Sequence, residues 1–422
     1  MEELIAEISL KRILHWNCRG FHFLPDELKE GYEVEEIYLK WNNLSSLPSW
    51  ISKLQNLTNL YLPHNQLQSL PKELNELSKL TVLDVTNNSI EVLPFGLGHL
   101  SHLTQFLAAR NTLSFIPNDF QNLKSLEILD ISYNTFTRFP ESILQCHSLQ
   151  QLLLDNNKLT ALPNNIVYLP YLKTLSVCGN NLLYLPLQPF LSNPFLSFEN
   201  NPNLNYLSIW LGEQLSSNSS RNIDGNSWNL PRAQGCFCRI QIPNTYNGDI
   251  VVSDTNSKRE RTLTLPPSLE YVLSGTGGEA CVPTLLELAL RKVYSLNCSH
   301  TIQRDGSGKK PTFMVKRTFP ISLDHLSLPL QLKHHVGVGP VTLCYFCNGF
   351  IFTHGVVWVI PKDCYYESEE GPSAFCIFST VIFCSVACSV SFAQWERKST
   401  MPNKLETIKL QWHNAFKRRL CV

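Results

Sequence analysis

Eight prolines stand in this chain at an unbroken interval of 23 residues: Pro25, Pro48, Pro71, Pro94, Pro117, Pro140, Pro163 and Pro186. A period held that strictly confines the first half to stacked repeats, because one copy of such a unit cannot bury its apolar side alone and must cover it with its neighbours.

The other positions keep the same beat. In the second copy Val34, Ile37, Leu39, Asn42, Leu44 and Leu47 give LxxLxLxxNxLxxLP, and the Asn slot recurs at Asn65, Asn88, Asn111, Asn134, Asn157 and Asn180. On these residues the first half resembles the leucine-rich repeat in its short 23-residue form. Each LxL core then reads as a strand with two inward apolar side chains, and each Asn as a side chain bonding backbone groups where the chain leaves the strand. The first copy carries Arg19 in the Asn slot, and the stretch from Phe195 to Ser208 keeps only Phe198, Asn203 and Leu207. Both are expected to be the atypical end copies that solenoids need.

The repeats account for only about half of the 422 residues, so one or two further units follow. Lys+Arg and Asp+Glu are both 35, and the zero net charge offers no basis for binding nucleic acid or an acidic membrane surface. The opening MEELIAEISLKRIL mixes acids with apolar residues and lacks a basic leader and a small-residue cleavage site. The expected location is therefore cytoplasmic, or nuclear. In such a compartment the 14 cysteines read as thiols or metal ligands rather than disulfides.

Composition places a solenoid over 1–212, a linker over 213–235 around the Ser- and Asn-rich run Ser216 to Asn229, a helical segment with flanking strands over 236–340, a cysteine-rich module over 341–395 and a basic tail over 396–422. Within the helical segment, PTLLELALRKV opens at Pro283, a residue suited to a first helical turn, and sets Leu285, Ala289 and Val293 on one face. LSLPLQLKHHV follows at Leu326 to Val336. The two stretches together resemble a SOCS box, with Thr284, Leu285, Ala289 and Val293 standing on its Elongin-binding pattern and Leu328-Pro329 on its cullin-contacting Leu-Pro pair. That resemblance implies docking of Elongin B/C with Leu285 as the anchor, and of a cullin at Leu328 and Pro329. Helix-in-groove recognition by spaced anchors is the physical mode involved. The order of parts from about Ile5 to Phe392 is similar to that of leucine-rich-repeat proteins carrying such a C-terminal module. The same helix also fits a plain amphipathic element packed on its own domain.

Cys344 and Cys347 form a CxxC, and Cys384 and Cys388 a CxxxC, with 36 residues between the pairs. Two close thiol pairs match a closed, structural zinc site, expected as a zinc ribbon with each pair beside a strand-like run. Cys236 and Cys238 form a CxC that could complete another site with Cys364 or Cys376. The uncharged run Phe375 to Phe392 has the length of a membrane span but no leucine, and reads better as buried strands.

Outward residues between the repeat leucines should line the inner face of the solenoid and make its binding surface. Tyr38, Trp41, Tyr61, His64, Arg110, Asp130 and Tyr133 are the candidates there, since aromatic residues and Arg anchor protein interfaces. The expected fold class is thus an α/β repeat, a leucine-rich-repeat solenoid followed by a small α+β module with SOCS-box-like helices and a zinc ribbon. The expected function is that of a non-enzymatic adaptor, receiving a target protein on the repeats and delivering it to a cullin-RING ubiquitin ligase. The alternative is a signalling scaffold that holds a GTPase or phosphatase.

Overall fold

Most prolines of the series open a turn of 3-10 helix, for which a ring-locked φ near −65° is already correct. Pro25, Pro48, Pro71, Pro117 and Pro140 sit immediately before the segments Asp26–Glu30, Ser49–Lys53, Lys72–Glu76, Asn118–Asn122 and Glu141–Gln145. Each proline carbonyl accepts the first i to i+3 bond, as from Ile51 N–H to Pro48 O at 3.1 Å. Each turn drops buried apolar side chains inward: Leu28, Ile51, Leu74, Phe120, and Ile143 with Leu144. The copy at Pro94 differs. Gly96 takes φ 99° and leaves only Leu97–His99 in the turn.

The computed structural model describes residues 2–204, 206–208, 210–211, 214, 238–241, 249–254, 260–264, 270–273, 289–291, 340–347, 349–352, 354–368, 371–385 and 387–392. The chain divides into two compact units. One comprises Met1–Thr160, Leu169–Asn181 and Ser192–Asn201, and the other Ala161–Tyr168, Leu182–Leu191 and Pro202–Val422.

In the first unit nine three-residue strands form one parallel sheet in sequence order: β1 Ile13–His15, β2 Glu36–Tyr38, β3 Asn59–Tyr61, β4 Val82–Asp84, β5 Gln105–Leu107, β6 Ile128–Asp130, β7 Gln151–Leu153, β8 Thr174–Ser176 and β9 Phe195–Ser197. The register advances by one repeat per strand, Tyr38 opposite Tyr61 and Tyr61 opposite Asp84. The middle residue of every strand is buried, because alternation sends it to the core face while its neighbours face out.

The Asn slot is what lets the chain leave each strand without orphaning backbone groups. Asn111 Nδ2 donates to Val85 O (3.0 Å) and Ala108 O (3.1 Å), and its Oδ1 accepts from Ile90 N–H (2.9 Å). One side chain thus satisfies carbonyls of its own and the preceding copy, and Asn65, Asn134, Asn157 and Asn180 repeat the pattern. The last copy corrects the sequence reading. Asn201, not Asn203, fills the slot, donating to Val177 O (3.0 Å) and Phe198 O (2.8 Å). The step from β8 to β9 is 21 residues rather than 23, which displaces the slot by two.

At the other end, helix α1 (Glu2–Leu10) caps the first copy, an element the sequence reading did not predict. Glu7 accepts from Trp16 Nε1 (3.0 Å) and pairs with Arg19 Nη1 (3.0 Å), and Ile8 is buried. Arg19 itself, in the first Asn slot, gives its backbone N–H to Asn42 Oδ1 at 3.1 Å.

In the second unit β10 (Tyr206–Ser208), β14 (Glu270–Leu273), β17 (His354–Ser368) and β18 (Gly371–Phe383) form a mixed sheet ordered β10-β18-β17-β14. A three-stranded antiparallel sheet is made by β11 (Cys238–Gln241), β12 (Asp249–Asp254) and β13 (Glu260–Thr264), and β15 (Thr342–Leu343) pairs with β16 (Phe350–Ile351) in a short hairpin. The uncharged run Phe375 to Phe392 is therefore the end of β18, a turn and helical residues 387–392. Among the described residues no helix is long and apolar enough to cross a membrane.

Candidate functional site

Two places gather the residues singled out from the sequence: the outer face of the nine-stranded sheet, and a cysteine cluster in the second unit.

On the sheet, the residue before the Asn slot has left-handed backbone in every copy: Cys18, Trp41, His64, Asn87, Arg110, Tyr133, Asn156, Gly179 and Asn200, with φ between 52° and 66°. Asn and Gly tolerate that conformation, whereas a bulky side chain costs about 1–2 kcal/mol there. Trp41, His64, Arg110 and Tyr133 bear that cost, and neighbours in the row cover one another. The Trp41 and His64 rings stack at 3.8 Å with 12° between planes, and His64 Nδ1 lies 2.9 Å from Asn87 Nδ2. The Arg110 guanidinium sits 4.1 Å over the Tyr133 ring. Trp41 is still 55% exposed and Tyr133 44%, so large apolar area faces solvent.

A second row runs beside it. His15 stacks on Tyr38 at 5.0 Å, and Tyr38 on Tyr61 at 4.6 Å. The Tyr38 hydroxyl donates to Glu36 Oε2 at 2.7 Å, and that bond, with burial, pushes the phenol up to about 12. Glu36 was not among the predicted residues, although it fixes the tyrosine that was. Asp130, which was, turns its Oδ1 to its own chain, accepting from Ser132 N–H (3.0 Å) and Oγ (2.7 Å). The structure thus brings Tyr38, Tyr61, Trp41 and His64 together over two adjacent copies, and Arg110 and Tyr133 over two others. The signal that could have revealed the left-handed row is the residue types in one slot: Asn87, Asn156 and Gly179 alternate with the bulky four.

In the second unit Cys344 and Cys347 lie in the turn of the β15–β16 hairpin, where Cys344 N–H bonds Gly349 O at 2.8 Å. Cys384 follows β18, and Cys388 stands in the first turn of residues 387–392, its N–H bonded to Ser385 Oγ at 3.2 Å. That Ser caps the helix as an N-cap hydroxyl does. The second pair therefore joins a strand to a helix, where the sequence suggested a zinc ribbon with a strand-like run beside each pair. All four Sγ atoms lie within 4.8 Å of one another, with Cys347–Cys384 and Cys384–Cys388 both at 3.5 Å. These separations exceed the roughly 2.05 Å of a disulfide. They suit a tetrahedral dication with metal–sulfur bonds of about 2.3 Å, whose sulfurs stand about 3.8 Å apart.

Crowded thiols cannot all ionise unaided. Cys347 is held low, at about 2, by hydrogen bonding from Cys344 and then Cys384. The same contact with Cys347 drives Cys344 up to about 11, and Cys344 and Cys347 push Cys384 upward. A dication would remove that conflict by taking all four as thiolates.

The hairpin is fastened from three sides. Trp210 Nε1 donates to Leu343 O (3.0 Å), Thr342 Oγ1 to Leu187 O (3.2 Å) and Gln188 Nε2 to Pro340 O. Tyr345 meets Trp210 and Phe392 edge-on at 5.0 and 5.4 Å.

Of the predicted Elongin- and cullin-contacting residues, Leu285, Val293, Leu328 and Pro329 lie outside the described residues. Ala289 is half-buried in the helical turn 289–291, next to Leu290, which is fully buried. Cys364 and Cys376 stand on the paired strands β17 and β18, Cys364 opposite Phe375 and Cys376 opposite Asp363. Cys238 opens β11, and Cys236 lies outside the described residues.

Residues 51–134 match the family model described as a leucine-rich repeat region, and residues 125–146 match the leucine-rich repeat. No curated protein sequence matches the chain. Among solved structures, a leucine-rich-repeat protein of Leptospira interrogans is 27% identical with a TM-score of 0.42, over 50% of this chain and 63% of that one. The ectodomain of the Arabidopsis thaliana membrane receptor kinase GASSHO1/SCHENGEN3, in complex with Casparian strip integrity factor 2, is 30% identical with a TM-score of 0.39, over 45% and 24%. Internalin C2 of Listeria monocytogenes is 22% identical with a TM-score of 0.41, over 46% and 83%. The match thus spans less than two thirds of the Leptospira protein and about a quarter of the receptor ectodomain. With its register, its Asn slots and these family matches, the chain carries leucine-rich repeats folded as a parallel-strand solenoid sheet of nine strands.

Proposed function

We propose that this chain is a non-catalytic protein-binding adaptor whose outer sheet face holds a target protein. The observation that carries this reading is the row of Trp41, His64, Arg110 and Tyr133 in left-handed backbone. Bulky residues persist in a slot that Asn or Gly fills more cheaply, and stored backbone strain of that kind clusters at functional sites. Stacked in pairs and rigidly spaced, they offer preorganised area at little further entropic cost on binding.

The finer reading is a substrate receptor of a cullin-RING ubiquitin ligase, docked through Leu285, Ala289 and Val293 to Elongin B/C and through Leu328 and Pro329 to a cullin. Its support is the order and residue types of the two stretches, together with the burial of Leu290, which accounts for a side of the helix other than the one bearing Ala289. The receptor would act by proximity, raising the local concentration of a target beside a separate ubiquitin-loaded enzyme. Zinc is the metal assigned to Cys344, Cys347, Cys384 and Cys388, where four protein thiolates leave no open position and the ion would hold the fold together.

The test is co-purification of the full chain with Elongin B/C, wild type against Leu285→Asp, with thermal melting of both. Binding lost in the variant at unchanged melting temperature is the expected result. No binding by the wild type would move the assignment to a scaffold of the other class, holding a GTPase or phosphatase.

A further inference from the structure

We propose that Arg291 ties the helical turn 289–291 to the cysteine cluster, so that occupancy of the metal site governs the position of the helix and its capacity to receive a partner. Arg291 Nη2 donates to the carbonyl of Cys384 at 3.4 Å, and Cys384 is the member of the cluster whose sulfur stands 3.5 Å from both Cys347 and Cys388. Beside Arg291, Leu290 is fully buried, so the turn is docked and not draped on the surface.

The carbonyl that Arg291 holds is positioned from both directions by the cluster. Cys347, from the β15–β16 hairpin, and Cys388, from the helix that follows, both approach the Cys384 sulfur. The hairpin also reaches the end of β18 through Tyr345 N–H on Ile382 O at 3.0 Å. A metal at the four sulfurs cross-links hairpin, strand end and helix. Without it, the Cys384 sulfur meets the hairpin and the helix only through thiol contacts at 3.5 Å. A charged donor such as Arg291 loses a well-placed acceptor when that segment shifts. Arg291 is thus a positioning residue, acting on the turn 289–291 through the metal centre. The linkage must be reciprocal, so a partner seated on the helix tightens metal binding by the factor that metal tightens the partner.

The inference deepens the adaptor reading and rests on it only for the identity of the partner. The test uses the full chain with zinc bound and after chelation, reading amide hydrogen exchange in peptides spanning 284–293, 340–352 and 384–392. Chelation should raise exchange in all three for the wild type. In Arg291→Ala with zinc bound, 284–293 should already exchange about 5-fold faster or more, in line with ordinary coupling strengths, while both cysteine peptides stay protected. Arg291→Lys, which keeps a cationic donor, should restore part of the protection, and it stands in should the Ala variant fail to fold.

A 284–293 peptide indifferent to chelation, while the cysteine peptides respond, overturns the proposal. A chain that takes up no zinc overturns it together with the metal assignment. In a parallel arm, affinity for Elongin B/C should fall by about 5-fold or more on chelation in the wild type, and by less in Arg291→Ala. A wild type that never binds Elongin B/C sinks the ligase reading alone, and the exchange data then decide the link between metal and helix.

Discussion

The indole of Trp41 lies flat on the imidazole of His64, ring centres 3.8 Å apart, and both residues hold left-handed backbone at φ 60° and 58°. Two strained residues at corresponding places in adjacent repeats support each other. The stack, worth about 0.5–1.5 kcal/mol, offsets part of the backbone cost.

Replacing Trp41 with Asn, the residue at the same place in three other copies, removes the strain and the stack together. Stability should stay within about 1 kcal/mol of wild type, because the two terms oppose. Binding of the target should drop by about 2 kcal/mol or more, as for an exposed interface anchor. Urea unfolding and quantitative co-purification check the two halves, and a variant that loses stability but keeps its target refutes the assignment.

Asn111 is buried and fully engaged, so Asn111→Ala strands Ile90 N–H and loosens two carbonyls at once. A loss of about 3 kcal/mol is expected, since each buried group left unmatched costs roughly 1–3 kcal/mol. The midpoint of urea unfolding reads it directly.

Gly98 has no room for a methyl group. A Cβ there would stand 2.0 Å from the Asp119 carbonyl oxygen, a backbone atom of the next copy. Gly98→Ala should cost about 1–3 kcal/mol through forced displacement. Gly20→Ala meets nothing within 4 Å but keeps φ at 70°, so only the smaller left-handed penalty of roughly 1–2 kcal/mol applies. Thermal melts of the two variants should rank them in that order.

Glu7 reports on the N-terminal cap. Burial alone would raise its carboxyl, but hydrogen bonds from Trp16, Lys11 and Arg19 outweigh that and hold it below its ordinary 4.5. A depressed folded-state value means the stabilisation is present above the unfolded value and is lost as pH falls through the folded one. The cap should therefore loosen in acid below about pH 4.5 in the wild type. Glu7→Gln, which cannot titrate, should show a flatter acid limb in tryptophan fluorescence of Trp16.

Metal binding should fix one zinc per chain, measured by elemental analysis, and Cys344→Ser should abolish it. Acid should release the metal, because protons compete for the thiolates. A Cys344→Ser chain that retains full zinc would mean the ligands lie elsewhere.

Much of this protein is determined by sequence alone. The 23-residue interval, the LxL cores and the Asn slots specify a parallel repeat sheet because each is a local pattern that neighbouring copies complete in the same way. The pairing of Cys344 and Cys347 with Cys384 and Cys388 was legible too, since thiols at such spacing suit one ion. Elsewhere local pattern was insufficient. Asn201 replaced Asn203 because one repeat is two residues short, and α1 covers the first copy through Glu7, Trp16 and Arg19, which only folding brings together. Likewise, only the tertiary structure decided that Trp41 and His64 share a strained backbone and stack, and that Arg291 reaches Cys384 across 93 residues. Periodicity records what a residue repeats with its sequence neighbours, whereas strain, stacking and long-range hydrogen bonds depend on which surfaces meet once the chain is packed.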